Sequence, residues 1–112
     1  MQQLTSYIMG QWLFGQGESR KIYHALTGEA LYEVSTEGLP LVDSLAYGRK
    51  HGGDALAAMT FQQRGQMLKA VAKYLLERKD YLYEISAQTG ATKADSWVDI
   101  EGGLQHCLLF QG

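Results

Sequence analysis

The chain has 112 residues, 46% of them apolar and 11% aromatic, enough for one small folded domain and too apolar for a disordered segment. Ten basic against twelve acidic residues leave a formal charge of −2, which excludes the broad positive field that nucleic-acid backbones require. Met1 to Gly10 carries no Lys or Arg ahead of an apolar core, and every apolar run is far shorter than a membrane span, so the expectation is a cytoplasmic protein that contacts neither nucleic acid nor membrane. Cys107 is the sole cysteine, so no internal disulfide and no thiolate zinc cluster can form.

In chain order, Tyr7, Ile8, Gly10, Trp12, Phe14, Gly15 and Gly17 alternate apolar residues with glycine, which predicts short strands with Gly10, Gly15 and Gly17 as hairpin turns. A second extended pair is expected from Arg20 to His24 and from Ala30 to Val34, turning at Thr27, Gly28 and Glu29, where Gly28 can take positive φ. After Gly38 the period changes. Pro40 suits a first helical position and Gly52 with Gly53 a stop, so residues 40–51 read as a short helix.

Thr60 and Gln63 have capping-box spacing ahead of the apolar positions Met67, Leu68, Val71, Leu75 and Leu76, which predicts a longer helix. Asp80 is placed to cap another helix that carries Leu82 and Ile85 and stops at Gly90. Thr92 and Asp95 open the last one, where Trp97, Ile100, Leu104 and Leu108 form an apolar stripe. The fold class is therefore α+β. One domain spans 1–112, with β-hairpins over 1–38 and three to four helices over 39–112.

Few residues suggest chemistry. Cys107 lies among Leu104, Leu108 and Leu109, an apolar setting that favours a structural thiol, and the adjacent His106 points about 100° away on a helix. His24, His51 and His106 lack metal-ligand spacing, and the glycines form neither a G-x-G-x-x-G fingerprint nor a phosphate loop. Glu29, Glu84, Asp99 and Glu101 read as turn or solvated helix-face carboxylates. Lys69, Lys73, Arg78 and Lys79 make a basic patch that Glu77, Asp80 and Glu84 offset. No catalytic, cofactor-binding or metal-ligating residue is nominated. The chain contains no Asn, so no Asn side chain can donate to an oxyanion.

Several segments together resemble the start of the aldehyde dehydrogenase superfamily. These are Tyr7-Ile8-Met9-Gly10-Gln11-Trp12, Thr27-Gly28-Glu29 followed by Val34, the spaced set Arg64, Leu68, Ala72 and Leu75, and Gln88-Thr89-Gly90. Met1 to Leu4, Met67 to Lys73 and Ser86 to Gly103 are similar, more particularly, to the bifunctional members of phenylacetic acid degradation, which join a semialdehyde dehydrogenase domain to an oxepin-CoA hydrolase domain. The likeness runs to about Leu104. Beyond it, Leu109-Phe110-Gln111-Gly112 resembles part of an engineered cleavage linker.

The resemblance implies an amino-terminal scaffold segment of a larger α/β enzyme. In that family a cysteine attacks the aldehyde, hydride passes to NADP or NAD, and a glutamate-activated water releases the acid. It implies also that nucleophile, glutamate, oxyanion Asn and cofactor domain lie in sequence beyond Gly112, so that the chain alone holds no cofactor and Cys107 matches no catalytic position. Two functions follow as expectations. One is the structural segment of an oligomeric dehydrogenase that oxidises a CoA-linked semialdehyde, with the rest of the enzyme as partner. The other is a free-standing helical interaction module that self-associates through Trp97, Ile100, Leu104 and Leu108.

Overall fold

The computed structural model describes residues 1–109, so the linker-like reading of 109–112 lies, past Leu109, outside the described residues. Five strands in two small sheets precede the helices, as the α+β expectation requires. The chain divides into two compact units, Met1–Ala57 and Ala58–Gly112.

In the first unit, β1 (Gln2–Gln3), β5 (Ala30–Val34) and β4 (Arg20–Tyr23) form a sheet in the order β1-β5-β4. β4 and β5 pair antiparallel, with Ile22 opposite Tyr32 and an irregularity at Ile22/Tyr23. β1 pairs with β5 in parallel, Gln2 opposite Tyr32, a long-range contact that no local pattern announces. β2 (Ser6–Ile8) and β3 (Gln11–Leu13) form a separate hairpin in which Tyr7 faces Trp12, their rings 4.9 Å apart. Its two-residue turn has positive φ at both Met9 (52°) and Gly10 (79°), the geometry that matches the twist of the flanking strands.

Gly15 and Gly17 are not hairpin turns. They are points of close approach. A Cβ at Gly15 would collide with the Ser35 carbonyl, and one at Gly17 with the Glu37 side chain. The Gln16 N–H donates to the Glu37 carbonyl (2.8 Å) and the Glu18 N–H to Glu37 Oε2 (2.8 Å), so segments 15–18 and 35–37 are laced together. Gly28 does turn the β4–β5 connection, with φ of 73°.

The first helix does not stop at Gly52-Gly53. It runs as α1 (Leu41–Tyr47), a π-helical turn (Gly48–Gly52) and α2 (Gly53–Ala57). Gly53 sits at φ −60° and ψ −48°, in the right-handed region, whereas a glycine stop needs the left-handed one that Gly38 and Gly90 adopt.

The second unit opens with α3 (Phe61–Leu76). Its capping box is complete: the Gln63 N–H donates to Thr60 Oγ1 (3.1 Å) and the Thr60 N–H to Gln63 Oε1 (2.8 Å), a pairing worth about 1 kcal/mol. At its end Arg78 donates to the Tyr74 carbonyl and lies 3.4 Å above the Tyr74 ring, so this cation packs on the chain and is not merely solvated. α4 (Lys79–Gln88) is capped by Arg78 and not by Asp80. Asp80 falls inside the first turn, where it still complements the helix dipole. Thr92 accepts from the Asp95 N–H (3.2 Å) and starts α5 (Lys93–Trp97), which continues through a second π-turn (Val98–Gly102) into α6 (Gly103–Leu109).

Buried apolar side chains are few: Ile8 in the first unit, Ala72 and Leu104 in the second. Ala72 is fully covered where α3 meets α6, and its small side chain lets the helices approach closely. Gly15→Ala should therefore cost about 1–3 kcal/mol through overpacking against Ser35. Gly52→Ala, which meets nothing within 4 Å in a helix interior, should stabilise by up to about 1 kcal/mol. Urea denaturation of the two variants, with midpoints moving in opposite directions, checks the pair.

Candidate functional site

A cleft of about 580 Å³ opens in the second unit between α4 and the α5 segment. Lys79, Tyr83 and Ser86 stand at i, i+4 and i+7, one face of α4, and the returning helix presents Ser96 and Glu101 to them. Lys79 Nζ lies 3.3 Å from Glu101 Oε1, Tyr83 donates to Glu101 Oε2 at 3.2 Å, and the Ser86 and Ser96 hydroxyls share a hydrogen at 2.7 Å. The Glu101 side chain is only 15% exposed, so it does not sit on a solvated face as its sequence neighbourhood suggests. Desolvation raises the Tyr83 phenol above its ordinary value, and the charge and hydrogen bond of Glu101 raise it further.

Chemically this is a clasp. Both oxygens of Glu101 are engaged, and Tyr83 holds its proton more tightly than a free phenol does. The Ser86 and Ser96 hydroxyls beside them bond to each other, and no histidine or cysteine lines the cleft to activate or replace them. The half-exposed ion pair is worth less than about 1 kcal/mol, so the geometry of the contact matters more than its Coulomb energy.

The other sequence candidates stay apart. His24 Nδ1 accepts from the Leu26 (3.1 Å) and Thr27 (3.3 Å) N–H groups and so shapes the β4–β5 turn. Tyr47 and His51 stack at 4.2 Å along their own helix. Glu29 lies exposed in its turn, Asp99 is exposed, and Glu84 stands on the cleft wall without a bond to Glu101. Cys107 is half-buried while His106 beside it is exposed, so they form no dyad. Among the described residues no group of three metal-ligating side chains converges.

A second cleft, of about 480 Å³ in the first unit, is lined by Arg20, Ser35, Glu37 and Glu18, and the Ser35 hydroxyl is buried there without a partner. No histidine or cysteine lines it. The strand–loop–helix from β5 to α1 does not fit a dinucleotide: its loop holds one glycine, Gly38, where the pyrophosphate-binding turn needs a G-x-G-x-x-G run.

Apolar surface is the larger feature. Leu41, Val42, Leu45 and Leu56 are exposed on a helix, α1–α2, that buries no residue at all. Of the terminal stripe, Leu104 is buried and Ile100 and Leu108 half-buried, while Trp97 remains 46% exposed on the cleft wall. Two separate well-packed domains of half this chain's mass would together expose about 7,400 Å². This chain exposes 8586 Å². Apolar faces therefore stay uncovered in this chain.

Over 102 residues, 90% of the chain, it is 36% identical to the 3,4-dehydroadipyl-CoA semialdehyde dehydrogenase of Aromatoleum evansii. The chain spans only about a fifth of that relative's length (20%). No family model matches it. The chain is thus homologous to part of a CoA-linked semialdehyde dehydrogenase, in keeping with the aldehyde dehydrogenase resemblance of its sequence. No helix among the described residues is long and apolar enough to cross a membrane.

The clasp yields a pH test. Because the folded chain holds the Tyr83 proton more tightly than the unfolded chain, the contact stabilises fully below the unfolded value near 10.0 and is lost as pH rises through the raised folded value. Glu101→Gln removes the negative charge, so the Tyr83 titration, followed by its ring carbon resonance, should move down toward the ordinary range, and stability should fall less steeply in alkali.

Proposed function

We propose that this chain is the structural segment of a semialdehyde dehydrogenase whose catalytic centre is carried elsewhere. The observation that carries the reading is the α1–α2 helix, five turns long with its apolar residues exposed and none buried, in a chain that matches a fifth of its relative's length. Faces of this kind are stable in water only when another surface covers them.

The whole enzyme then oxidises a CoA-linked semialdehyde with NADP or NAD, in the cytoplasm, as a step of phenylacetate breakdown. In the remainder of the enzyme a cysteine would add to the aldehyde, the nicotinamide would take the hydride from that adduct, and water would release the acid from the resulting thioester, restoring the thiol. This chain contributes no reacting group. Its part is to pack against the remainder and to hold the elements that do react.

Two substitutions on the exposed face, Val42→Glu and Leu45→Glu, test the reading. Each should change the stability of the chain by no more than about 0.5 kcal/mol, because neither residue is used internally. Each should abolish capture of a dehydrogenase that lacks the corresponding segment, measured by co-purification. The unaltered chain alone should reduce no NADP or NAD with a CoA-linked semialdehyde. Turnover by the chain alone, or indifference of the capture to both substitutions, would sink the proposal.

A further inference from the structure

Ser96 and Glu101 both face α4, yet they stand five residues apart. In an uninterrupted α-helix, residues five apart diverge by about 140°, so Ser96 could not share a hydrogen with Ser86 while Glu101 reached Tyr83 and Lys79. The π-turn Val98–Gly102 reconciles them, because i→i+5 closure brings residues five apart onto one face. The same turn accounts for Trp97. Seven residues before Leu104, Trp97 would lie on the stripe that packs on α3 if the helix were regular, but it is 46% exposed, whereas Ser96, eight residues before Leu104, is 2% exposed.

We infer that the π-turn Val98–Gly102 is a register device carrying one spare residue: it keeps Ser96, Glu101 and Leu104 in one inward line and turns Trp97 out onto the cleft wall. The exit of the turn fits that role. Gly103 keeps right-handed geometry (φ −62°, ψ −43°), so the chain passes from the π-turn into α6 without a break. The inference rests on helix geometry and is independent of the enzyme in which the segment serves.

Deletion tests it, since removing a spare residue differs from removing a needed one. Without Asp99, a regular α-helix places Ser96, Glu101 and Leu104 at i, i+4 and i+7, the line that the π-turn now makes. In a Trp12→Phe background, the Asp99 deletion should keep the Trp97 emission maximum, its quenching by acrylamide and the urea midpoint close to those of the parent. Deletion of Gln105, an exposed α6 residue outside the turn, should instead rotate Leu108 by about 100° off α3 and lower the midpoint. Loss of folding or burial of Trp97 on deleting Asp99 would overturn the inference, as would equal effects of the two deletions. Nuclear Overhauser contacts in the unaltered chain give a check that needs no variant: Glu101 should meet the Tyr83 ring, and contact of the Trp97 indole with α3 would overturn it.

Discussion

Close packing of α3 against α6 is the contact on which the second unit turns. Ala72 is fully covered and Leu104 nearly so, and among the described residues these two are the buried apolar side chains of a unit in which Phe61, Met67, Val71 and Tyr74 stay exposed. An alanine at the crossing gives approach without bulk, so the contact gains proximity at the expense of buried area. At about 25 cal/mol for each Å² of apolar surface removed from water, such a crossing orients helices but supplies little of the drive that holds a domain together. The polar devices around it share the work of alignment: the capping box at Thr60, the Arg78–Tyr74 corner, and the Glu101 clasp.

The first unit follows the same logic with different means. Ile8 is its buried apolar residue, and backbone lacing does what a core would otherwise do. Gly15 and Gly17 let segment 15–18 lie directly on 35–37, and the parallel pairing of β1 with β5 ties the first residues to the end of the sheet. Hydrogen bonds of this kind specify an arrangement while contributing modestly to stability, since each replaces a bond to water. Both units are therefore well specified and thinly buried.

Much of this was legible in the residues. The Thr60–Gln63 pair announced a capping box through side-chain chemistry alone, and Gly28 announced its turn through the need for positive φ. The misreadings share one cause, a local signal with two physical meanings. Glycine marks a left-handed turn, a close approach or a tolerated helix interior; Gly15 and Gly17 proved to be the second, and Gly52 and Gly53 the third. The parallel β1–β5 strand pair joins residues about thirty positions apart, beyond the reach of any window.

Periodicity failed in one instructive place. The stripe Trp97, Ile100, Leu104 and Leu108 assumes 3.6 residues per turn throughout, and a π-turn breaks that assumption by a single residue. The consequence reaches the candidate site. Glu101, three residues before the buried Leu104, keeps its inward place against Tyr83 and Lys79, while Trp97, the largest apolar side chain of the segment, is turned outward. A helix that spends a residue to expose a tryptophan and to bury a serine inverts the usual partition of polar and apolar groups. The packing on α3 does not gain from that exchange, because Trp97 is turned out and Ser96 bonds to Ser86 on α4. The gain must lie in the clasp on α4 and in the cleft wall that Trp97 completes, so the register of this helix is set by what the second unit presents outward as much as by what it packs within.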